Sequence, residues 1–419
     1  MIPTGKTPVN ALTFWAIMSL SLVVNLPGLA VTPMLGNLEK IFPQTTQIEE
    51  QLLTVLPNLL IIPFVLLSGK LSMSRHKIAI VVLALSIYTL CAVLYLFASS
   101  MAALIVISCL LGCGAGLLIP FSTGLIADTF TGRYRMKEMG LQSGLSNMTL
   151  VAATFIVGWL SHSDWHTPFL VYLAALIPLA LSFGLRGIPK ADLYISGGPG
   201  AARITDEARA EANEKSPKVV RGFYIGRILS VMAVYFFISF ATMTISYYCP
   251  FLIEKKDWSS TLSGTVTSLY FLFIFLPGFL LVPIVRVTKG LTFFWGAVTM
   301  TIGIGMFSVL PQEWAMCVGA CLAGLGYGIC QPLIYNKASR TVTSDAKATM
   351  SLAFVLSANY LSIVLTPFII DLFRGIFHSK PDGTFAFTLS AIMLAAYSVI
   401  AFFGRRSFSL GVTKDYYSK

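Results

Sequence analysis

The stretch GCGAGLLIP, from Gly112 to Pro120, returns in altered form as GLGYGICQP, from Gly324 to Pro332. Three glycines and the proline keep their spacing, and the offset between the two copies is 212 residues throughout. The same offset relates two further polar pairs, Asn147 with Asn359 and Thr154 with Thr366. A pattern repeated at half the length of the chain predicts an internal duplication. Paired halves of this kind, related by an axis along the membrane normal, are typical of transporters with a site between the halves.

The composition places most of the surface of this chain in lipid. Hydrophobic residues make up 56% of the 419 residues and charged residues only 11%, well below the roughly 25% of a soluble domain. A helix needs about 20 apolar residues to cross a bilayer, and strand-like alternation is absent. The sequence predicts twelve spans, at about 11–35, 51–69, 78–98, 102–127, 139–161, 167–185, 223–253, 259–285, 290–310, 314–336, 348–370 and 384–404. The predicted fold is all-α, with twelve transmembrane helices in two pseudo-symmetric six-helix bundles.

The positive charge follows the loops in a way that predicts topology. Only Lys6 precedes the first run, which is longer than the core of a signal peptide, so we expect a retained first span. With both termini on one side, that side carries 24 of the 29 lysines and arginines. Basic residues stay cytoplasmic during insertion. We therefore expect both termini in the cytoplasm of a multi-pass protein of the plasma or inner membrane, and no nucleic-acid partner.

One long non-apolar segment separates the halves. It divides the chain into an N-terminal bundle at 1–186, a cytoplasmic linker at 187–222, and a C-terminal bundle with a cytoplasmic tail at 223–419. The linker begins with a Gly- and Pro-containing stretch that reads as flexible. Thr205 then precedes acidic residues in the manner of an N-cap, which predicts a short surface helix.

The repeated glycines are expected to serve packing and bending. Gly112 and Gly116 form a small-residue face, as do Gly324 and Gly328, and such faces let helices approach closely in lipid. The prolines at 120 and 332 each remove a backbone hydrogen bond and loosen the helix. We expect these residues to let one bundle rock against the other without touching substrate.

Three stretches resemble the major facilitator superfamily, and the resemblance covers essentially the whole chain. They are GKLSMSRHK at 69–77, SCLLGCGAGLLIP at 108–120 and GWLSHSDWHTPFLVYL at 158–173, the last resembling a passage of bacterial drug exporters. Met73 stands where the loop motif of the family has an acid, and Ser108 where its fourth helix has an arginine. The antiporter motif keeps only Gly158. These departures leave the fold implied by the resemblance intact and weaken the case for proton-driven antiport.

The resemblance also implies a cytoplasmic gate. It would comprise Gly69, Arg75 and Lys77 of the loop motif, with Asp128 at the end of the fourth span. Asp128 is expected to pair with the basic 70–77 loop, with Arg75 as the first candidate partner, and so to latch that side shut. Proton coupling is the alternative role for this carboxylate.

Charged side chains are almost absent from the predicted spans, which limits the substrate. Arg227 alone appears, near the inner end of the seventh span, where it either contacts an anion or snorkels to the interface. Because intramembrane charges mark proton and ion sites, their absence argues against organic cations. Uncharged candidates for substrate contact lie at mid-depth: Asn25, Asn58, Asn147, Tyr235, Ser239, Tyr270, Gln331 and Asn359. Each could equally be a structural hydrogen-bonding group between helices.

The same residues predict a transporter without catalytic, metal or cofactor chemistry. The histidines lie in loops, and the seven cysteines lie in apolar runs without CxxC spacing, as small packing residues do. No P-loop or hydrolase motif is present. We expect a monomeric secondary transporter in the lipid bilayer that exports a neutral or anionic organic small molecule by rocker-switch alternating access. Import or facilitated diffusion of a nutrient, and a non-transporting sensor, remain alternatives, and the coupling ion, proton or sodium, is left open.

Overall fold

A computed structural model describes most of the chain. The described residues are 2–5, 7–27, 47–72, 76–160, 166–188, 219–220, 222–256, 258, 260–310, 312–343, 347–378 and 384–412. The predicted surface helix of the linker lies outside them. At the end of the linker, β1 (Val219–Val220) pairs antiparallel with β2 (Phe223–Tyr224) across Gly222, whose φ of +83° suits a residue without a side chain.

Twelve helical segments follow one another within the described residues. They are α1 (Ala11–Ser19 and Ser21–Val24), α2 (Gln47–Leu71), α3 (Lys77–Tyr95), α4 (Met101–Thr129), α5 (Gly132–Leu160), α6 (Thr167–Gly187), α7 (Ile225–Lys255), α8 (Ser260–Thr288), α9 (Thr292–Val309), α10 (Glu313–Ser339), α11 (Ala348–Ile376) and α12 (Thr384–Phe403). α6 has 3₁₀ winding at Thr167–Ala175 and Ser182–Gly187, with α-helical winding at Leu176–Leu181 between them. A 3₁₀ turn at Lys289–Leu291 joins α8 to α9.

The twelve segments fall on the twelve predicted runs. Eight stretches among the described residues have the length and hydropathy needed to cross a membrane, and one of them, Gly264–Val309, contains α8 and α9. α5 is not among the eight, which fits the polar residues in its middle: Gln142, Ser143, Ser146 and Asn147. α5 also begins at Gly132, earlier than the predicted 139, because a helix can continue into water beyond the apolar part that hydropathy detects.

The helix contacts of the first half recur in the second half between the helices whose numbers are higher by six. α2 packs on α4 as α8 packs on α10, and α3 packs on α6 as α9 packs on α12. The two halves meet through α2 with α11 and α5 with α8, which are themselves equivalent pairs. The two six-helix bundles are therefore pseudo-symmetric, as the repeated glycine pattern predicts.

The repeated glycines lie where two helix backbones almost touch. A Cβ atom on Gly112 would come within 2.7 Å of the Pro57 carbonyl oxygen of α2, and one on Gly116 within 2.8 Å of the Ile61 carbonyl oxygen. Gly324 and Gly328 face α8 in the same manner, against the Tyr270 and Ile274 carbonyl oxygens. No larger residue fits at such crossings without moving a helix. Pro120 and Pro332 lie within α4 and α10, which continue through them.

The first and the last described residues lie at one end of the bundle, which we call the terminal face. Ile2 and Val9 form an antiparallel bridge there, and the Thr4 carbonyl accepts a hydrogen bond from the Thr131 amide between α4 and α5. At the other terminus, Phe408 stacks under Arg227 and Lys337.

The halves are closed against each other at the terminal face. Gly69 of α2 lies against Met350 and Ala353 of α11, and Gly124 of α4 lies against Thr349 of the same helix. At these two positions there is no room for a side chain between α11 and the first half.

Candidate functional site

A cavity lies between the halves near the middle of the bundle. Helices α1, α2, α4 and α5 of the first half line it, together with α7, α8, α10 and α11 of the second. Six of the sequence-predicted residues line it: Asn25, Asn58, Asn147, Tyr270, Gln331 and Asn359. Tyr327, Tyr335 and Tyr360 add aromatic surface, and none of the described lining residues is ionisable as an acid, lysine, arginine or histidine.

The cavity is contracted in this conformation. The space bounded by the described residues measures about 60 Å³, whereas pockets for drug-sized ligands measure roughly 300–1,000 Å³. A bound organic molecule would therefore require the halves to separate.

Gln331 of α10 is the centre of a hydrogen-bond network. Its Oε1 accepts a hydrogen bond from the Ser143 hydroxyl of α5, which links the two halves directly. Its Nε2 lies 3.0 Å from the Tyr335 hydroxyl, 3.3 Å from that of Tyr235 and 3.4 Å from that of Tyr327. Buried amides need such partners in lipid, and two of the partners, Tyr327 and Tyr335, also line the cavity.

Asn147 and Asn359, the pair related by the duplication, line the cavity from equivalent helices of the two halves. Asn147 Nδ2 donates to the Ser143 carbonyl at 2.7 Å, and Asn359 Oδ1 accepts from the Ser239 hydroxyl at 2.6 Å. Asn147 Oδ1 and Asn359 Nδ2 make no hydrogen bond to the described part of the chain. One acceptor and one donor thus remain for a ligand, on opposite halves.

Tyr270 of α8 offers a further donor. Its ring is fully buried and lines the cavity. Its hydroxyl makes no well-formed hydrogen bond among the described residues, although the Thr242 side chain lies close enough for a weak one. A buried hydroxyl without a well-formed hydrogen bond is costly, and a ligand in the cavity could supply a better acceptor.

Three sequence-predicted residues lie outside the cavity wall. Tyr235 and Ser239 support it, because they bond to the lining residues Tyr335 and Asn359. Arg227 is remote, on the terminal face, where its guanidinium lies 4.9 Å from the Tyr224 ring and 4.6 Å from the Phe408 ring. This geometry fits the second of the two alternatives for Arg227, an interfacial arginine, and does not fit an anion contact in the cavity.

Two of the predicted gate residues, Lys77 and Asp128, form an ion pair in the structure, whereas Arg75 lies outside the described residues. Lys77 Nζ lies 2.8 Å from Asp128 Oδ2, and both side chains are buried. Arg75, the first candidate partner of Asp128, lies outside the described residues, as does Met73. The pair joins the start of α3 to the end of α4 within the first half, so it does not itself bridge the halves.

Arg135 of α5 does bridge the halves, and sequence reasoning missed it. Its Nε and Nη2 donate to the carbonyls of Phe130 and Ala127 at 2.8 and 2.7 Å, and its Nη1 donates to the Ser339 hydroxyl of α10 at 3.4 Å. The carbonyl contacts satisfy the end of α4.

Glu138, two residues before Gly140 in α5, is another buried charged residue that sequence reasoning missed. It is 4% exposed, and its Oε2 has no hydrogen-bond partner among the described residues. Burial raises the pKa of its carboxyl above the usual range, against a smaller lowering by Lys137. Both residues belong to a segment that hydropathy assigns to a loop, so no sequence signal marked them as buried.

Among the described residues no three His, Cys, Asp or Glu side chains come together as a metal site would require. The seven cysteines are all unpaired.

Known proteins resemble this chain in both sequence and structure. The profile of the Major Facilitator Superfamily matches residues 11–367. A multidrug transporter protein of Bacillus subtilis, MdtP, is 29% identical over 162 residues, an alignment covering 38% of this chain and only 29% of that relative.

Solved transporter structures share the fold at low sequence identity. The human organic anion transporter MFSD10 (TETRAN) superposes with a TM-score of 0.67 at 14% identity, over 93% of this chain and 97% of that one. The proton:xylose symporter XylE, bound to 6-bromo-6-deoxy-D-glucose, gives 0.65 at 14% identity, over 93% and 94%. A double-tryptophan mutant of XylE gives 0.71 at 15% identity, over 96% of each chain. Because the family profile spans most of the sequence and the helices take the corresponding arrangement, this chain belongs to the Major Facilitator Superfamily and is a multi-pass membrane transporter.

Proposed function

We propose that this protein exports a neutral organic molecule with an aromatic or apolar body and several hydrogen-bonding groups. The observation that carries the proposal is the cavity wall, which combines amides and tyrosines with apolar side chains and has no carboxylate, lysine, arginine or histidine among its described residues. A desolvated charge in such a cavity would lack a counter-charge. The main argument for an anionic substrate was Arg227, and this residue lies away from the cavity.

The direction is inferred from the sequence relative. Export accords with the 29% identity to a multidrug transporter, and both termini would face the cytoplasm of the plasma or inner membrane. The terminal face is then the cytoplasmic face. Uptake or facilitated diffusion of a nutrient is the alternative, since a sugar symporter shares the fold.

Transport would proceed by a rocker-switch. The cavity between the halves is too small for substrate while the terminal face is closed. Separation at that face would break the Arg135–Ser339 contact, and the matched interfaces α2–α11 and α5–α8 would serve as the rocking surfaces. The protein would act as a monomer, because the cavity is complete within one chain.

Ligand binding tests the chemical class. Purified protein would be screened by thermal shift against matched sets of neutral, cationic and anionic compounds, because a ligand that binds the folded state raises its apparent stability. We expect neutral members to stabilise the protein most. Preferential stabilisation by the cations would refute the proposed substrate class.

A matched pair of tyrosine variants tests the site. Tyr270→Phe removes the hydroxyl that faces the cavity. Tyr397→Phe removes another buried hydroxyl that lacks a well-formed hydrogen bond among the described residues, and Tyr397 lies outside the cavity lining. We expect Tyr270→Phe to weaken ligand binding about 2- to 10-fold, as the loss of one hydrogen bond does, and Tyr397→Phe to leave it unchanged. Equal effects of the two variants would place the ligand elsewhere.

Transport measured in vesicles of known orientation tests direction and coupling. Export predicts accumulation inside inside-out vesicles, and gradients of protons or sodium would be imposed one at a time. Equilibration without any gradient effect would identify a facilitator.

A further inference from the structure

A second hollow, of about 480 Å³, opens at the terminal face of the second half. It lies where the end of α8 and the start of α9 meet the segment after α12, far from the central cavity in the fold. We call it the junction pocket. The lining residues that the argument uses are Thr288, Lys289, Trp295, Arg405 and Arg406.

Three basic side chains line the junction pocket, and no carboxylate of the described residues pairs with them. Lys289, Arg405 and Arg406 all line it and are exposed to solvent. None of the three forms an ion pair with a carboxylate in the described part of the chain. The guanidinium of Arg405 lies over the Phe402 ring at 5.4 Å, which leaves its edge free for hydrogen bonds. Guanidinium groups bind phosphate with two parallel hydrogen bonds.

Lys289 occupies a backbone position that ordinarily belongs to glycine. Its φ is +51°, the left-handed conformation common just after a helix end. The Thr292 hydroxyl donates to the Lys289 carbonyl at 2.6 Å and so holds the turn. Glycine would fit this turn without strain, and Gly290 stands next to it. A lysine here places a cation on the rim of the pocket at a conformational cost.

The remaining wall suits the boundary between headgroups and acyl chains. Trp295 is 49% exposed at the start of α9, and tryptophan concentrates at that boundary in membrane proteins. Val287 at the rim and Phe403 at the adjacent end of α12 are also largely exposed. An amphiphile could therefore place a phosphate among the cations and its chains along the apolar surface.

We propose that the junction pocket binds the headgroup phosphate of an anionic phospholipid from the leaflet on the terminal side. Basic pockets between transmembrane helices bind such headgroups. The exposed apolar surface beside the cations favours a lipid over a free phosphate ion, which would use the cations alone. The site is independent of the substrate and of the direction of transport.

Lipid binding to the purified full-length protein tests this proposal. Native mass spectrometry would compare phosphatidylglycerol with phosphatidylcholine, with inorganic phosphate as competitor. We expect phosphatidylglycerol to bind preferentially. Arg405→Gln with Arg406→Gln should weaken it about 25-fold, taking about fivefold for each charge lost. The control, Arg133→Gln with Arg186→Gln, removes two exposed cations of the first half, which does not line the pocket. It should change binding less than about twofold, because the attraction falls off within a Debye length.

The variant Lys289→Gly distinguishes a loss of lipid binding from a loss of folding. It removes the cation and relieves the left-handed backbone, so it should weaken phosphatidylglycerol binding about fivefold without lowering the melting temperature. Equal binding of the two lipids, or an equal loss in the control variant, would overturn the proposal. Displacement of the lipid by millimolar inorganic phosphate would also overturn it, because the occupant would then be a soluble anion.

Discussion

Replacing Gly278 with alanine should push the two halves apart at their α5–α8 interface. A Cβ atom on Gly278 would lie 2.6 Å from the Gly140 carbonyl oxygen and 3.0 Å from the Gly144 Cα atom. Both obstacles are backbone atoms, so no side chain can rotate out of the way. Ordinary contact begins at 3.4 Å, and the helices would have to separate by about 0.8 Å.

The energetic cost follows from overpacking at a tight contact. Extra methyl groups in well-packed interiors cost about 1–3 kcal/mol. If this interface loosens when the terminal face opens, the same free energy shifts the closed–open equilibrium about 5- to 150-fold toward the open state. Gly264 is the matched control in the same helix, because nothing lies within 4 Å of its added Cβ atom. Gly264→Ala should be neutral or stabilise the helix by about 0.5–1 kcal/mol.

Thiol labelling measures the shift. In a variant without the native cysteines, Thr349→Cys places a thiol that is buried against Gly124 while the terminal face is closed. Gly278→Ala should accelerate its reaction with a hydrophilic thiol reagent in purified protein, whereas Gly264→Ala should not. Unchanged labelling together with an unchanged melting temperature would refute the packing argument, as would equal acceleration by the control.

Two further predictions concern buried charge at the terminal face. Asp128→Asn leaves the Lys77 ammonium buried without its carboxylate partner and should destabilise the protein by about 3–5 kcal/mol. The double variant Asp128→Leu with Lys77→Met removes both charges and should recover most of that loss in denaturation experiments. Failure to recover it would refute the pairing. Burial raises the pKa of Glu138 in the folded protein, so stability should fall as pH rises through that pKa. Glu138→Gln should raise the melting temperature at neutral pH and flatten its decline from acid pH, and an unaltered pH profile would contradict the burial of this carboxyl.

Much of the fold follows from the sequence because lipid imposes simple rules. Every backbone group in lipid must bond within its own segment, so apolar runs become helices. The glycines of the opening repeat mark close helix crossings because nothing larger fits against Pro57 and Ile61. The start of α5 could not be predicted in this way, since a helix that leaves the lipid keeps its backbone hydrogen bonds but loses its hydropathy signal.

The sequence predicted which types of residue form the site, but it could not predict the role of each residue. Amides and hydroxyls at mid-depth had to be either helix-to-helix contacts or cavity groups, and Gln331 is both. Whether Tyr270 has a partner depends on where a second helix places Thr242, and no periodicity contains that information. Arg227 shows the same limit, because its contact with Phe408 joins residues remote in sequence.

The central claim is that the halves must separate at the terminal face for transport, and a reversible cross-link tests it most directly. Gly124 and Thr349 face each other across the halves, with a Cβ separation of 2.8 Å for the added atom, near enough for a disulfide after a small adjustment. The variant Gly124→Cys with Thr349→Cys, lacking the native cysteines, would be reconstituted with a compound identified by thermal shift. We predict that oxidation abolishes transport and that reduction restores it, while Thr349→Cys alone responds to neither. Undiminished transport by the fully cross-linked protein would contradict alternating access through this face.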